Sequence, residues 1–292
     1  MVTIGVFDGV HLGHRRILDE VGLLATGIGA RSVVLTFHPH PATVFRPDEA
    51  PQMLTTLEER LELLRTAGID ETVVLRFTAA LARQRAEWFT QRVLVDRIGM
   101  SRLVIGYDFR FGRGREGNAG YLESLGEKMG FGVDIVPPVT WAGHPISSTR
   151  ARTALARGDV RAAARVLGRP YSLSGRVVRG EGRGRRLAYP TANLAVARSG
   201  KILPRAGIYA VRAKTGGIIY PGALYIGSKP TYGGGATSVE VYLVGRRAGL
   251  YGRKVEVLLV DRLRDEQAFR DDLALKRAIA GDVKRVRRLI AN

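Results

Sequence analysis

Residues 1–25 read MVTIGVFDGVHLGHRRILDEVGLLA, and the fold turns on how this stretch divides. "MVTIGVFDG" is apolar and β-branched before it runs into glycines, which predicts a short strand ending in a tight turn. "HLGHRRILDEVGLLA" then places Ile17, Leu18, Val21 and Leu24 on one helix face. Working outward, "ARSVVLTFHPHP" is a second buried strand ended by prolines. "TTLEERLELLRTAG" is a helix with a Thr cap, a Glu three residues on, and an apolar stripe at Leu57, Leu61 and Leu64. "ETVVLRF", "AEWFTQRVLVDRIG", "SRLVIGYDF", "AGYLESLGEKMG" and "FGVDIVPPV" continue as strand, helix, strand, helix, strand. Alternation of this kind predicts an α/β domain built on a doubly wound parallel sheet.

One helix over "TRARTALARGDVRAAARVLG" closes that half, and the texture then changes. "GIYAVRA", "GALYIG", "SVEVYLVG" and "KVEVLLV" are short alternating strands between glycine-rich turns, the pattern of a small antiparallel β-barrel. The tail "DEQAFRDDLALKRAIAGDVKRVRRLIAN" reads as helical. The boundary falls near "LGRPYS", giving domains 1–168 and 169–292. A chain of 292 residues is long enough for two such cores.

Composition narrows the classes. No apolar run approaches the roughly 18 residues of a membrane span, and Gly, Asp and His interrupt any signal-like order by residue 14. With no cysteine, disulfides and thiolate metal sites are excluded, and a cytoplasmic protein is expected. The net charge of +19 is lopsided: residues 1–168 carry 21 Lys and Arg against 18 Asp and Glu, residues 169–292 carry 25 against 9. Such a field favours anionic ligands or nucleic acid, or else coats a solvated surface.

Two of the five histidines, His11 and His14, stand three apart where the first strand meets the first helix. That is the carboxyl edge at which parallel sheets bind ligands, and a helix N-terminus offers free N–H groups and the positive end of its dipole to phosphate. Imidazoles there can donate to phosphate oxygens and stabilise charge as a nucleotide α-phosphate is attacked. A zinc site lacks a suitable third ligand nearby; a structural helix cap remains open.

"GVFDGVHLGH" resembles the His-x-Gly-His signature of the nucleotidylyltransferases. With "TFHPHPATVFRP", "LTTLEERLELL", "VIGYDFRFGRGREGN", "ISSTRAR" and "GDVRAAARVLGRPYSLSG" the chain resembles the prokaryotic bifunctional riboflavin kinase / FAD synthetase family over nearly its whole length. The resemblance implies that His11 and His14 stabilise ATP phosphates while FMN attacks, giving FAD and pyrophosphate. Gly5, Phe7 and Gly9 would line the same phosphates. Ser147, Ser148, Thr149 and Arg152 would form a second phosphate block, and Asp108, Phe109 and Phe111 the flavin side, with Phe111 more at home in a core. His40 matches the family's Pro-His-Pro, His38 takes no role, and Ala151 replaces a branched apolar residue. The chain begins just before the first strand, where members of the family usually carry extra residues.

In the second half, "GRVVRGEGRGRRLAYPTANL" sets glycine turns and arginines before Pro-Thr-Ala-Asn. Thr191 and Asn193, two apart on an extended segment, point to one side, and such neutral oxygens suit Mg²⁺ shared with nucleotide phosphates. The stretch resembles the riboflavin kinase signature, continued by "LPRAGIYAV", "GALYIGSKPTYGG", "VEVYL", "LYGRKVEV" and "LRDEQAF". That resemblance implies Gly180, Gly184 and Arg185 along the ATP phosphates, and Thr191 and Asn193 on Mg²⁺. Glu240 would be the base for the riboflavin 5′-hydroxyl, with Tyr251 and Arg264 on the flavin side.

Three departures bear on this half. Ala188 replaces a glycine, Tyr225 stands where a small polar residue is usual, and the Asp-Phe expected after the Glu240 strand is missing. The alternatives are the same scaffold with a degenerate kinase, or a basic nucleic-acid-binding protein suggested by "KRVRRLI". The expected partners are riboflavin, FMN and ATP, with no membrane and no nucleic acid; a homo-oligomer is compatible with the sequence.

Overall fold

The computed structural model describes residues 1–180, 184, 187–196, 200–228, 237–246 and 249–290. The chain divides into two compact units, Met1–Ser148 and Thr149–Asn292.

In the first unit β1 (Val2–Ile4), β2 (Val33–His38), β3 (Glu71–Arg76), β4 (Arg102–Gly106) and β5 (Gly132–Val136) form a parallel sheet in the order β3-β2-β1-β4-β5. The connections carry α1 (Leu12–Gly27), the short α2 (Pro41–Phe45), α3 (Leu57–Thr66), the one-turn α4 (Ala79–Ala82) and α5 (Ala86–Phe89), and α6 (Ala119–Met129). Alternation along the strands builds two cores. Val34 and Val104 turn toward Leu18, Val21 and Leu64 of α1 and α3, whereas Val33, Leu35, Leu103 and Ile105 turn toward Leu94, Leu122 and Leu125. The expected capping box of α3 is present: the Glu59 amide donates to Thr56 Oγ1 at 3.2 Å, and the Thr56 amide to Glu59 Oε2 at 3.1 Å. The order of strands reverses between β1 and β4, so the loops after these two strands flank the crevice where such sheets take their ligands.

One helix departs from the sequence pattern. After the single turn of α5, residues Thr90–Val95 are wound as a π-helix. Thr90 is fully buried and its hydroxyl donates to Ala86 O at 2.9 Å, a back-bond that competes with the α-helical ladder.

After the two-residue strands β6 (Thr140–Trp141) and β7 (His144–Pro145), α7 (Ser148–Arg157) opens at the last residue of the first unit and is followed by α8 (Val160–Leu167). The single helix expected here is two. Gly158 is left-handed at φ 79°, Asp159 caps the next turn through the Ala162 amide at 2.9 Å, and a Cβ on Gly158 would lie 2.6 Å from Arg262 Nε. Strands β8 (Ser172–Val178), β9 (Thr191–Val196), β10 (Gly207–Thr215), β11 (Ile218–Ser228), β12 (Thr237–Leu243) and β13 (Lys254–Arg264) close into an antiparallel barrel in the order β10-β11-β12-β9-β8-β13. Leu173, Leu224, Ile226, Val239, Val241, Val257 and Leu259 are buried, so their neighbours along each strand face outward.

The last helix, α9 (Asp272–Ile290), starts later than the tail pattern implied. Asp271 accepts from the Ala274 amide at 2.7 Å and so caps the helix, which leaves residues 265–271 outside it. Val283 and Val286 of α9 are buried, and Asp282 takes Arg264 of β13 in a two-pronged ion pair at 2.8–3.1 Å.

Thr3 sits at the centre of β1, 1% exposed and paired in register with Val34 and Val104, and its hydroxyl has no partner among the described residues. Thr3→Val should raise stability by about 1 kcal/mol, because an orphan hydroxyl is replaced by a methyl group of the same shape. Urea denaturation reads the change, and a lowered midpoint would mean that the hydroxyl is satisfied.

Candidate active sites

The loop from Gly5 to His11 leaves β1 at the reversal point and is forced into an unusual path. Phe7, Gly9 and Val10 are all left-handed, at φ 52°, 82° and 37°. Two of them carry side chains for which that region is costly. What holds them there is Asp8, 2% exposed, whose carboxylate accepts the Leu54 amide at 3.0 Å, the Thr55 amide at 3.1 Å and the Thr55 hydroxyl at 3.0 Å. The Gly9 amide donates to Thr55 Oγ1 at 3.1 Å, so this group serves the loop itself. Beneath the loop, Arg60 of α3 is also 2% exposed; its fork donates to Val6 O at 2.6 Å and Phe37 O at 3.0 Å. Burial lowers the Arg60 pKa from its ordinary value, and the charge of Asp8 works against that.

His11 is the N-cap of α1, and its Nδ1 accepts from the His14 amide at 3.2 Å. The cap reading and the phosphate reading are therefore compatible. An Nδ1 acting as acceptor leaves the ring proton on Nε2, a donor of the kind a phosphate oxygen accepts. The two rings stack at 3.6 Å, and Phe7 stands edge-on behind His14 at 5.0 Å. Phe7 is itself 2% exposed, so its ring supports His14 and cannot stack on a nucleotide. A Cβ on Gly13 would lie 3.2 Å from the His11 ring and 3.7 Å from Ile146 O, which brings the segment before α7 against the start of α1. Ser148 Oγ donates to Asp8 O at 2.8 Å, tying the second expected phosphate block to the first. Of that block, Ser147 and Ser148 close the first unit, and Thr149 and Arg152 follow on α7.

Across the reversal point, the loop after β4 exposes Tyr107 and Asp108. Phe109 and Phe111 stack on each other at 5.4 Å, and both pack against the core on the α6 side of the sheet. Their faces are thus largely occupied by one another and by protein. Phe45 at the end of α2 is a ring with open surface, edge-on to Phe77 at 5.7 Å. His40 caps α2 by accepting from the Ala42 amide at 3.0 Å.

In the barrel, the outward positions of three neighbouring strands form one polar row: Asn193 on β9 pairs with Glu240 on β12, which pairs with Tyr225 on β11. Thr191 Oγ1 donates to Glu240 Oε2 at 2.9 Å and Ser238 Oγ to Oε1 at 3.2 Å, so the carboxylate is oriented from both sides. Gly180 and Gly184 lie against the same residues. A Cβ on Gly180 would fall 2.0 Å from Asn193 Nδ2, and one on Gly184 would fall 2.4 Å from Tyr189 O and 3.1 Å from Thr191 Oγ1. At Gly184 the close atom is backbone, so glycine is required there; at Gly180 it is the Asn193 side-chain amide. Gly180, Gly184, Thr191, Asn193 and Glu240 are therefore one constellation. Arg185 lies outside the described residues. Arg264 is committed to Asp282, and Tyr251, 58% exposed, sits on the turn before β13. Ala188 has φ 65°, as the missing glycine implied.

Sequence reading passed over Asp8, Thr55, Arg60 and Ser238. Arg60 left a signal: it stands three after Leu57 and four before Leu64, inside an apolar stripe where a charge needs buried partners.

The FAD synthetase family matches residues 1–150, and the riboflavin kinase family matches residues 167–290. The chain belongs to the bifunctional riboflavin kinase/FMN adenylyltransferases. The relative from Pseudomonas fluorescens is 38% identical over 292 residues, covering 100% of this chain and 93% of its own. That from Escherichia coli K12 is 38% identical over 283 residues, 97% of this chain and 90% of the relative. Both bear the name bifunctional riboflavin kinase/FMN adenylyltransferase. A crystal structure from Streptococcus pneumoniae, solved under the name macrolide-efflux protein, is 30% identical with a TM-score of 0.91 and covers 98% of this chain and 93% of that one. Among the described residues here, no helix is long and apolar enough to cross a membrane.

Two predictions follow from the local chemistry. Burial and the neighbouring His11 hold the His14 pKa well below its usual value, so the ring is neutral in the folded chain and takes a proton more readily once unfolded. The stability from this neutral ring is complete above the ordinary histidine pKa of about 6.5 and is lost as pH falls from there toward the lowered folded value. His14→Gln should flatten the pH dependence of ligand-free stability over that window, as measured by thermal unfolding from pH 7.5 downward. Separately, Ala188→Gly should stabilise the barrel by about 1 kcal/mol, since glycine occupies the left-handed region without strain. A lower melting temperature would contradict this.

Proposed function

We propose that the family's two reactions are divided between the two units at the constellations described above. The first unit adenylylates FMN. An oxygen of the FMN phosphate attacks the α-phosphorus of ATP, the new P–O bond forms, and the bond to the β-phosphate bridge breaks, releasing pyrophosphate and FAD. His11 donates through Nε2 to the α-phosphate oxygens as charge builds, and His14, stacked on it, shares that load once the anion raises its proton affinity. The amides at the start of α1 add their dipoles. Asp108 is the polar contact on the opposite rim, with Phe109 and Phe111 as the wall behind the flavin.

The second unit phosphorylates riboflavin. Glu240 accepts the proton of the 5′-hydroxyl, that oxygen attacks the γ-phosphorus of ATP, and ADP leaves as its bridging bond breaks. Thr191 and Ser238 fix the direction of the carboxylate. Gly180 and Gly184 let the nucleotide phosphates approach the backbone, with Arg185 beside them, and Tyr251 and Arg264 border the flavin side. The oxygen donors of Thr191 and Asn193, with Glu240 between strands, fit a hard cation that takes few protein ligands; bound Mg²⁺ would neutralise phosphate charge. The boundary of the kinase part is placed near residue 168, and the use of ATP argues for the cytoplasm.

The observation that carries this reading is the Thr191–Glu240–Ser238 hydrogen-bond set on the strand that also bears Asn193's partner. It speaks for a working kinase rather than a degenerate one. Incubation with riboflavin and MgATP, with FMN and FAD resolved by chromatography, tests both assignments. Replacing His11 and His14 by alanine should stop FAD and let FMN accumulate. Glu240→Gln should slow FMN formation by about 10²- to 10⁴-fold while leaving FAD formation from supplied FMN intact. Normal FAD synthesis in the double alanine variant, or normal FMN synthesis in Glu240→Gln, refutes the corresponding half.

A further inference from the structure

The row that bears Glu240 contains one more residue with no part in the chemistry above. Tyr225 stands directly across from Glu240 on β11, facing outward like it, because Leu224 and Ile226 on either side are buried. Directly opposed side chains on one sheet face lie about 5 Å apart at Cβ, so the ring stands next to the carboxylate. The Tyr225 hydroxyl donates to Glu266 Oε1 in the segment between β13 and α9. Burial, the bond to Glu266 and the charges of Glu266 and Glu240 raise the phenol's pKa above its ordinary value, so it stays a donor.

The position of this pair is fixed from below. A Cβ on Gly227 would lie 2.3 Å from the Tyr225 hydroxyl and 2.7 Å from Glu266 Oε1, so phenol and carboxylate rest on bare backbone. Glu266 is exposed, and among the described residues Tyr225 is its one hydrogen-bond partner. Glu266 Oε1 is therefore held by the phenol of the row, while the side chain as a whole is exposed. An oriented, exposed carboxylate is an acceptor for neutral hydroxyl donors. Riboflavin brings several such donors on the chain that ends in its 5′-hydroxyl.

We propose that Tyr225 and Glu266 form a polyol subsite of the kinase, in which Glu266 accepts from a hydroxyl of the flavin's sugar-alcohol chain while that chain's terminal hydroxyl meets Glu240. The proposal rests on the assignment of Glu240 made above. Tyr225 is a specificity-determining residue in it: its ring spaces the two carboxylates, and its hydroxyl sets the direction of Glu266. The site selects for hydroxyl geometry along the chain, not for the flavin ring.

The test uses the full-length protein, with FMN formation measured at initial rate from riboflavin and MgATP. Wild type, Tyr225→Phe, Glu266→Gln and Glu240→Gln are compared, each with riboflavin and with its arabityl epimer, whose side chain has one hydroxyl inverted. Tyr225→Phe keeps the ring and should raise the riboflavin KM about tenfold, with kcat within about twofold and the KM for ATP unchanged. Its discrimination between the two epimers should narrow, a change that a merely structural tyrosine would not produce. Glu266→Gln should do the same, and it decides the matter if Tyr225→Phe does not fold. Unchanged riboflavin KM and unchanged discrimination in both variants overturn the subsite. So does a loss of kcat at constant KM, which would assign the pair to Glu240 rather than to the chain. Should Glu240→Gln turn over normally, the assignment of the base falls, while the KM and epimer readings of Tyr225 still decide the subsite.

Discussion

A single buried carboxylate organises the first unit. Asp8 collects two amides and a hydroxyl from Leu54 and Thr55, and its own carbonyl takes the hydroxyl of Ser148. A charge taken this far from water persists only if its acceptor capacity is filled, and removing partners from such a group costs several kcal/mol. The loop around it consequently has no freedom to relax, although Phe7 and Val10 sit in a region their side chains disfavour. His11 is delivered to the cap position of α1 as a result, and His14 is stacked one turn further on. The histidines are the candidate chemistry; Asp8 and the Arg60 fork hold the loop that delivers them.

The barrel solves a different problem. Its interior is filled by apolar side chains, so polar groups gather on the outward face, where strands ordinarily meet water. Glu240 gains direction there from hydroxyls on both sides, Thr191 from the neighbouring strand and Ser238 from its own. Gly180 then lies against the Asn193 amide, and Gly184 against the Tyr189 carbonyl, where a Cβ would clash with backbone. The two sites thus share a logic despite unrelated folds: a tight, glycine-dependent backbone approach beside a polar group whose orientation is fixed by neighbours rather than by its own rotamer.

How far the sequence revealed this follows from the range of the forces involved. Strand–helix alternation, the α3 capping box and the alternating barrel strands are local patterns, and the fold class followed from them. The break at Gly158 was less legible, because glycine and Asp159 are tolerable within a helix pattern until the approach of Arg262 demands the bend. The π-helical stretch and the late start of α9 hinge on single side chains, Thr90 and Asp271, whose bonding is visible only in three dimensions. At the sites, the candidates His11, His14, Thr191 and Asn193 stood out by type and spacing, and Glu240 through the family resemblance. Those that hold them were not: Asp8 and Thr55 are separated by 46 residues or more from their bonding partners, and Ser238 looks like any strand serine.

The basic excess of the second half has a partly structural origin in the same currency of directed donors. Seven of the 46 Lys and Arg residues are lysine, and the arginines recur where a fork must reach backbone carbonyls. Arg176 donates to Gly252 O at 3.0 Å, Arg262 to Ala206 O at 2.7 Å and Arg285 to Leu263 O at 2.6 Å. Arg246 reaches the Tyr220 hydroxyl at 2.8 Å, and Arg264 grips Asp282 with two nitrogens. Each of these fastens a strand end, a turn or the last helix; Arg262 and Arg264 also meet carboxylates, Asp265 Oδ1 at 2.7 Å and Asp282. Carbonyls at the strand ends of a small barrel need donors, and arginine satisfies them while keeping its charge near water. Net charge accumulates as a by-product wherever the acceptor is a carbonyl rather than a carboxylate. The sign of the surface is therefore weak grounds for a polyanion partner, and the anions this unit must attract are already accounted for by the phosphates of ATP.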